Sequence, residues 1–185
     1  LGMQYANYVQ PTVDINGEPH KVQLEVVDNC TAAENGPSAA AEMVNKGVSI
    51  VLGSYGSGVS MAGGAVFSEA GMPAIGTSCT KPNVTADCDV YFRLAFLDPF
   101  QGTVLANYAT EKLGASIAYC MGELGNDYDT GLIYNFKQAY ENTGGMAADV
   151  DMPNTTHVEA MEFSVAHNNG KNCVLLNRPG KHELE

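Results

Sequence analysis

Apolar residues along the chain fall in short runs separated by stretches of helical period. "KVQLEVVDN" (Lys21 to Asn29) alternates and then becomes continuously apolar, the pattern of a strand entering a covered sheet. "INGEPH" before it signals a turn. "GPSAAAEMVNKG" predicts a short helix, with Pro37 near its start and Gly47 at its end. "VSIVLG" is β-branched and too short for a helix, so it reads as a buried strand. "VSMAGGAVFSEAG" is a helix closed by Gly71, with small residues that permit close packing on a sheet. "MPAIGT" and "VYFRLAF" (Val90 to Phe96) are the next strands.

The second half continues the alternation. "DPFQGTVLANYATEKLG" predicts a helix with Asp98 as N-cap and Pro99 at the first helical position. Leu105, Tyr108 and Leu113 form its apolar face. "ASIAYCMG" is a strand. "DYDTGLIYNFKQAYENTGG" is a helix with Leu132, Ile133, Phe136 and Tyr140 on one side, ending at Gly144-Gly145. From Met146 the pattern weakens. "VEAMEFSVAHNNGKN" allows a helix with Val158, Met161 and Val165 inward, "CVLLN" a strand, and "RPGKHELE" no element.

Strands alternating with helices predict an α/β fold with a parallel sheet and right-handed crossovers. Ligands of such sheets bind beyond the C-terminal strand ends. Two loops rich in small hydroxyl residues leave neighbouring strands at that end, "GSYGSG" (Gly53 to Gly58) and "TSCT" (Thr77 to Thr80).

Composition narrows the partners. The 185 residues are 45% hydrophobic and 16% charged, a globular balance. The net charge of -12 argues against nucleic acid. No apolar run is long enough to span a bilayer. The start, "LGMQYANYVQ", has no initiator Met and no charged n-region, and reads as a mature or trimmed piece. Of the five cysteines (30, 79, 88, 120 and 173) none forms C-x-x-C, so no zinc pattern is present. Cys79 and Cys88 are close enough in sequence to pair, and equally suit half-buried apolar positions.

The loops fit neither nucleotide motif. No Lys follows Gly58, and G-x-G-x-x-G is absent. What remains is a strand, a Gly/Ser loop and a helix N-terminus, which attracts an anion through free N–H groups and the helix dipole. A hydrogen bond to a charged group contributes about 1.5–3 kcal/mol. Two such loops together suffice for a carboxylate but not for a polyphosphate. Thr77, Ser78 and Thr80, with strand-end carbonyls, offer both donors and acceptors, as a zwitterion requires. The plainer reading is that these residues cap helices and shape turns. Glu123, Asp127 and Asp129 cluster near a strand exit, where a solvated loop competes with a metal site because no His accompanies them.

Taken together, "KVQLEVVDN", "AAEMVNKGVSIVLGSYGSGVS", "FSEAGMPAIGTSCTKPNVT", "YFRLAFLDPFQGTVLANYA" and "GNDYDTGLIYNFKQAYENTGG" resemble, in this order, solute-binding proteins of ABC transporters. The match is to the branched-chain (Leu/Ile/Val-type) amino acid receptors of type I periplasmic-binding fold, over residues 1 to about 145. The resemblance implies two α/β lobes, with parallel sheets covered by helices on both faces and an amino acid clamped between them. Residues 1–97 would form a nearly complete first lobe lacking its first strand, and 98–185 part of a second. Ser57 would donate to the ligand carboxylate. The backbone of Ser78 and Cys79 and the hydroxyl of Thr80 would grip carboxylate and ammonium. Tyr128 would close over the ligand from the second lobe, with Tyr55 and Phe100 as side-chain contacts. The family is roughly twice this length, and the segment carrying the acidic partner of the ligand ammonium is missing.

The implied partners are a small amino acid and a membrane permease, with no cofactor, no metal and no catalysis, in an extracytoplasmic location. Two other readings stand beside this one. The same fold serves as the sensing core of receptors and regulators. A thiol enzyme would use Cys79, although His20, His157, His167 and His182 lie in no catalytic motif. Apolar edges left by an incomplete second lobe predict self-association.

Overall fold

A computed structural model of the chain describes residues 2–86, 88–123 and 125–151. The helix and strand expected in "VEAMEFSVAHNNGKN" and "CVLLN" lie outside the described residues.

The chain opens with helix α1 (Gly2–Val9), in which no residue is buried. An exposed antiparallel hairpin follows, β1 (Thr12–Ile15) and β2 (Glu18–Lys21). Its turn is the one that "INGEPH" signals. Asn16 and Gly17 both take positive φ, 56° and 88°. A two-residue turn needs this to match the strand twist, and Asn-Gly supplies it with least strain. The Asp14 carboxylate accepts from the Gly17 amide at 2.8 Å and fixes the turn.

The strand expected over Lys21 to Asn29 is not formed. β2 ends at Lys21, and residues 22–29 join no ladder. The apolar pattern is present, but among the described residues no strand pairs with it to take its amides and carbonyls.

Three parallel strands make the first sheet: β3 (Val51–Leu52), β4 (Ala74–Gly76) and β5 (Tyr91–Arg93), in that order. Helix α2 (Gly36–Asn45) precedes β3, and α3 (Ser57–Ala70) connects β3 to β4. α3 ends on Gly71 at φ 64°, the left-handed position that closes a helix. The short α4 (Asn83–Ala86) lies between β4 and β5. Pairing aligns Val51, Ala74 and Tyr91 in one row, and all three are buried with Ala40 of α2 and Phe67 of α3. The next row, Leu52 and Phe92, points to the other face and is exposed. This is the period-2 alternation of a sheet with one face packed on helices.

The second unit begins with α5 (Asp98–Asn107), which runs into a π-helical turn at Tyr108–Lys112. Then come β6 (Ile117–Gly122), α6 (Asp127–Asn142) and β7 (Met146–Asp151), with β7 parallel to β6. Its core holds Ala106, Ala109, Ala118, Cys120, Phe136 and Tyr140. Phe136 and Tyr140 stack with ring centroids 5.1 Å apart, and the Tyr140 hydroxyl donates to the Ala115 carbonyl at 2.6 Å.

Two expectations for this unit change. Leu97 is the N-cap of α5, so Asp98 is its first helical residue and makes no cap bond. The buried face of α5 is Gly102 and Ala106, with Ala109 just beyond the helix, not the expected Leu105, Tyr108 and Leu113: Tyr108 and Leu113 are exposed and Leu105 is half-buried. The reason is proximity. A Cβ placed on Gly102 would lie 2.7 Å from the backbone of Asn135 and Phe136, so only small residues let α5 approach α6 this closely. In the first unit Cys79 and Cys88, for which the sequence allowed either a pair or separate apolar positions, are separate free thiols. Cys79 is buried in the first core, and Cys88 donates to the Gly64 carbonyl at 3.5 Å.

Candidate functional site

The two hydroxyl loops leave adjacent parallel strands at the same end of the first sheet. The first ends on Gly56, at φ 88°, and Ser57 opens α3. Ser57 is 1% exposed, and its Oγ accepts from the Lys81 amide at 3.3 Å. That bond crosses from the second loop to the first. It uses a lone pair of Ser57 and leaves the hydroxyl proton to donate. Ser60, one turn on, is also buried and donates to the Gly56 carbonyl at 2.8 Å.

In the second loop Thr77 and Ser78 are exposed, while Cys79 and Thr80 are buried. The Thr80 hydroxyl donates to Asp98 Oδ1 at 2.5 Å, and the Asp98 amide donates back to the Thr80 carbonyl at 3.0 Å. Thr80 has therefore spent its proton and keeps an oxygen lone pair. Ser57 can give a hydrogen bond and Thr80 can receive one. These are the two polarities that a carboxylate and an ammonium require.

Arg93, at the end of β5, holds this loop in shape. Its guanidinium donates to the carbonyls of Cys79 (3.3 Å), Lys81 (2.8 Å) and Pro82 (3.1 Å), and to Thr85 Oγ1 at 2.6 Å. The planar fork of arginine suits such multiple donation. Sequence reading gave Arg93 no role. Its signal was the single basic residue in an otherwise apolar strand, "VYFRLAF".

The start of α6 reaches the same place. Asn126 caps it, its Oδ1 accepting from the Tyr128 amide at 3.0 Å and the Asp129 amide at 3.3 Å. Asp127 pairs with Lys81 Nζ at 2.6 Å. A Cβ placed on Gly58 would lie 3.2 Å from Asp127 Oδ2, so the first turns of α3 and α6 are side by side. Tyr128 is half-buried, and its hydroxyl accepts from Gln101 Nε2 at 3.3 Å. The structure thus brings Ser57, Thr80 and the residue preceding Tyr128 to one junction, through Lys81. Tyr55 and Phe100 are largely exposed, and Phe100 packs on Phe96 with centroids 6.1 Å apart. Lys81, which sequence reading passed over, is the residue that ties both loops to α6.

Asp98 is the site's electrostatic anomaly. It is fully buried, and its Oδ2 has no hydrogen-bond partner among the described residues. A Cβ on Gly131 of α6 would come within 2.9 Å of that oxygen. Burial pushes the Asp98 carboxyl up from its ordinary value, opposed by the Thr80 hydrogen bond and by the charges of Arg93 and Lys81. The acidic residues near the β6 exit are each engaged separately. Asp129 Oδ2 accepts from the Glu123 amide at 2.7 Å, Glu123 accepts from Asn126 Nδ2 at 3.1 Å, and Asp127 holds Lys81. Among the described residues no group of His, Cys, Asp and Glu is arranged to hold a metal ion.

Comparison with known proteins gives a consistent answer. The family model described as "Periplasmic binding protein" matches residues 3–168. A Leu/Ile/Val-binding protein homologue 3 from Brucella melitensis is 32% identical over 133 residues, covering 71% of this chain and 35% of its own length. The fold is similar to that of a leucine binding protein, LivK, from Thermotoga maritima. That match has a TM-score of 0.82 and 26% identity, and covers 94% of this chain and 49% of that one. It is also similar to LivJ from Streptococcus pneumoniae, a branched-chain amino acid transporter substrate binding protein solved with isoleucine. There the TM-score is 0.74 and the identity 25%, with coverage of 93% and 48%. This chain therefore spans about half the length of the solved proteins it matches. It belongs to the periplasmic binding protein family.

Proposed function

We propose that this chain binds the α-amino and α-carboxyl groups of an amino acid as the solute-binding component of an ABC importer outside the cytoplasmic membrane. The observation that carries the reading is the opposed polarity of two neighbouring hydroxyls. Ser57, held as an acceptor by the Lys81 amide, keeps a proton for a carboxylate. Thr80, held as a donor by Asp98, keeps a lone pair for an ammonium. The N-terminus of α3 adds about 0.3–1 kcal/mol for a nearby anion, and up to ~2 where the geometry is partly buried.

Residues 1–97 are the first lobe in this reading, and the chain from Asp98 belongs to the second. Tyr128, one residue beyond the Lys81–Asp127 pair, faces the ligand from the second lobe. Ser78 and Cys79 contribute backbone amides, and Tyr55 and Phe100 contact the ligand side chain. Because Ser57 and Thr80 are buried, the ligand enters only when Asp127 and Lys81 part. The names of the relatives support a branched-chain ligand, and a membrane permease is the partner that receives it. Among the described residues no helix is long and apolar enough to cross a membrane.

A catalytic role for Cys79 has little support. The thiol points from the second loop into the first core and is buried there, and a nucleophile must reach its substrate. His20, the one histidine among the described residues, is exposed on β2 in the hairpin.

The reading is tested by calorimetric titration of the folded chain with each of the twenty amino acids. Heats that saturate with leucine, isoleucine or valine support it. The absence of any binding, with the fold verified by circular dichroism, would reduce it to a family scaffold without ligand.

A further inference from the structure

Asp98 meets Thr80 with only one of its two carboxyl oxygens. Oδ1 takes the Thr80 hydroxyl at 2.5 Å, the short end of the range for a hydroxyl on a charged carboxylate, about 2.5–2.7 Å. Oδ2 is buried without a hydrogen-bond partner among the described residues. It faces α6 at Gly131, where a Cβ would lie 2.9 Å from it and where glycine offers no side chain. The charged groups that face the carboxyl are Arg93 of β5 and Lys81 of the second loop. Arg93 directs its guanidinium at the loop carbonyls and Thr85, and Lys81 directs its ammonium at Asp127 of α6. Neither donates to Oδ2.

This lopsided contact decides where a proton sits when Asp98 is neutral. On Oδ2 an O–H would be buried with nothing to accept it, which is costly. On Oδ1 the proton lies between Asp98 and Thr80 Oγ. The neutral carboxyl then donates to Thr80 and occupies the oxygen that the charged form leaves free, while the Thr80 hydroxyl proton turns outward. Each state of Asp98 therefore gives Thr80 one outward polarity. It is an acceptor when Asp98 is charged and a donor when Asp98 is neutral. Only the acceptor suits an ammonium.

We propose that Asp98 is a positioning residue that makes recognition of the ligand ammonium conditional on its own charge, so that binding an amino acid expels one proton from Asp98 to solvent. The inference rests on the reading that Ser57 and Thr80 hold the two charged groups of an amino acid. An ammonium on Thr80 Oγ favours the charged carboxylate behind it, through its own charge and through the hydrogen-bond polarity it demands. The O–H bond at Oδ1 breaks, its electron pair stays on the carboxylate, and the proton passes to the buffer. Burial holds the Asp98 carboxyl above its ordinary value in the empty site, which keeps that proton in place until the ligand arrives. The free chain retains the proton to higher pH than the complex does. Affinity therefore rises with pH through the window between the two and is level above it.

The test is leucine titrated into the whole chain by calorimetry between about pH 4.5 and 7, at each pH in two buffers of different ionisation enthalpy. The difference in heat counts the protons released. A release approaching one proton per leucine is expected within that range, with affinity rising up to about tenfold per pH unit. In Asp98→Asn the release should vanish and the affinity should be flat with pH. Thr80→Ser, which keeps the hydroxyl, should retain the release, and Thr80→Val should lose it. The Asp98 carboxyl carbon shift, followed by NMR in the wild-type chain, reads the same proton without a substitution and should titrate at lower pH with leucine bound. Leucine that binds with equal heats in both buffers at every pH overturns the proposal and leaves the amino-acid reading standing. Release that persists in Asp98→Asn or Thr80→Val overturns it, as does a carboxyl shift that titrates alike with and without leucine. A folded chain that binds no leucine at any pH removes the branched-chain reading and this inference with it.

Discussion

Thr80 and Asp98 hold each other twice, side chain to side chain at 2.5 Å and backbone to backbone at 3.0 Å. The pair joins the loop after β4 to the first turn of α5. Removing one member leaves the other buried without its partner. Asp98→Ala is expected to destabilise the chain by about 1–3 kcal/mol, the scale for an unsatisfied buried polar group. Asp98→Asn, which keeps an acceptor for Thr80, should lose less. Urea unfolding of the three proteins side by side decides the order.

The pH dependence follows from the direction of the Asp98 shift. Its carboxyl titrates above its ordinary value of 3.8 in the folded chain, because burial disfavours the charge. Between the ordinary and the raised value the folded state binds more protons than the unfolded state. Stability therefore falls as pH rises through that window and is flat above it. Asp98→Asn removes this slope. The stability difference between wild type and Asp98→Asn, followed by urea unfolding from acid to neutral pH, should shift against the wild type as pH rises. A constant difference would show that Asp98 titrates as it does in the unfolded chain.

Lys81 and Asp127 form the ion pair across the candidate entrance, with side chains 20% and 44% exposed. Solvent screens such a pair, so its stabilisation is at most about 1 kcal/mol. Asp127→Asn should change unfolding stability by less than that, and the difference should shrink in high salt. The same substitution should speed ligand entry in stopped-flow binding. An unchanged association rate would mean that the pair does not bar the way to Ser57.

Ser57→Ala removes the proton assigned to the ligand carboxylate. Affinity for the amino acid is expected to fall by about 1.5–3 kcal/mol, the range for a hydrogen bond to a charged group. The fold should survive, since among the described residues Ser57 Oγ accepts only the Lys81 amide. Titration calorimetry measures the change, and equal affinities for the two proteins would remove Ser57 from the site.

Gly102→Ala tests the close approach of α5 and α6. The added methyl meets backbone atoms of Asn135 and Phe136 at 2.7 Å, which cannot turn aside as a side chain would. A loss of about 1–3 kcal/mol is expected, read as a lower thermal midpoint.

Much of this was legible in the sequence. The βα alternation, the turn at Asn16-Gly17, the Gly71 stop and the α6 face of Leu132, Phe136 and Tyr140 follow from local pattern, because each depends on residues near in sequence. What the sequence hid depends on neighbours far along the chain. The apolar run at 22–29 has a strand's composition, but a ladder needs a partner strand. Tyr108 and Leu113 have the right spacing for a core face, yet Gly102, Ala106 and Ala109 are buried because α6 passes too close for larger residues. At the candidate site both hydroxyl loops were visible as motifs. Lys81, Asp98 and Arg93 were not visible as organisers, since their partners lie 11 to 46 residues away for the bonds of Arg93 to Pro82 and of Lys81 to Asp127.

The clasp of Arg93 on the loop after β4 separates two tasks within a few residues. Cys79 to Thr85 are fixed from beneath by one guanidinium, whereas the side chains of Thr77 and Ser78 stand free of it. Replacing either side chain therefore leaves the guanidinium's four contacts intact, and the foundation on which the two residues rest stays as it is.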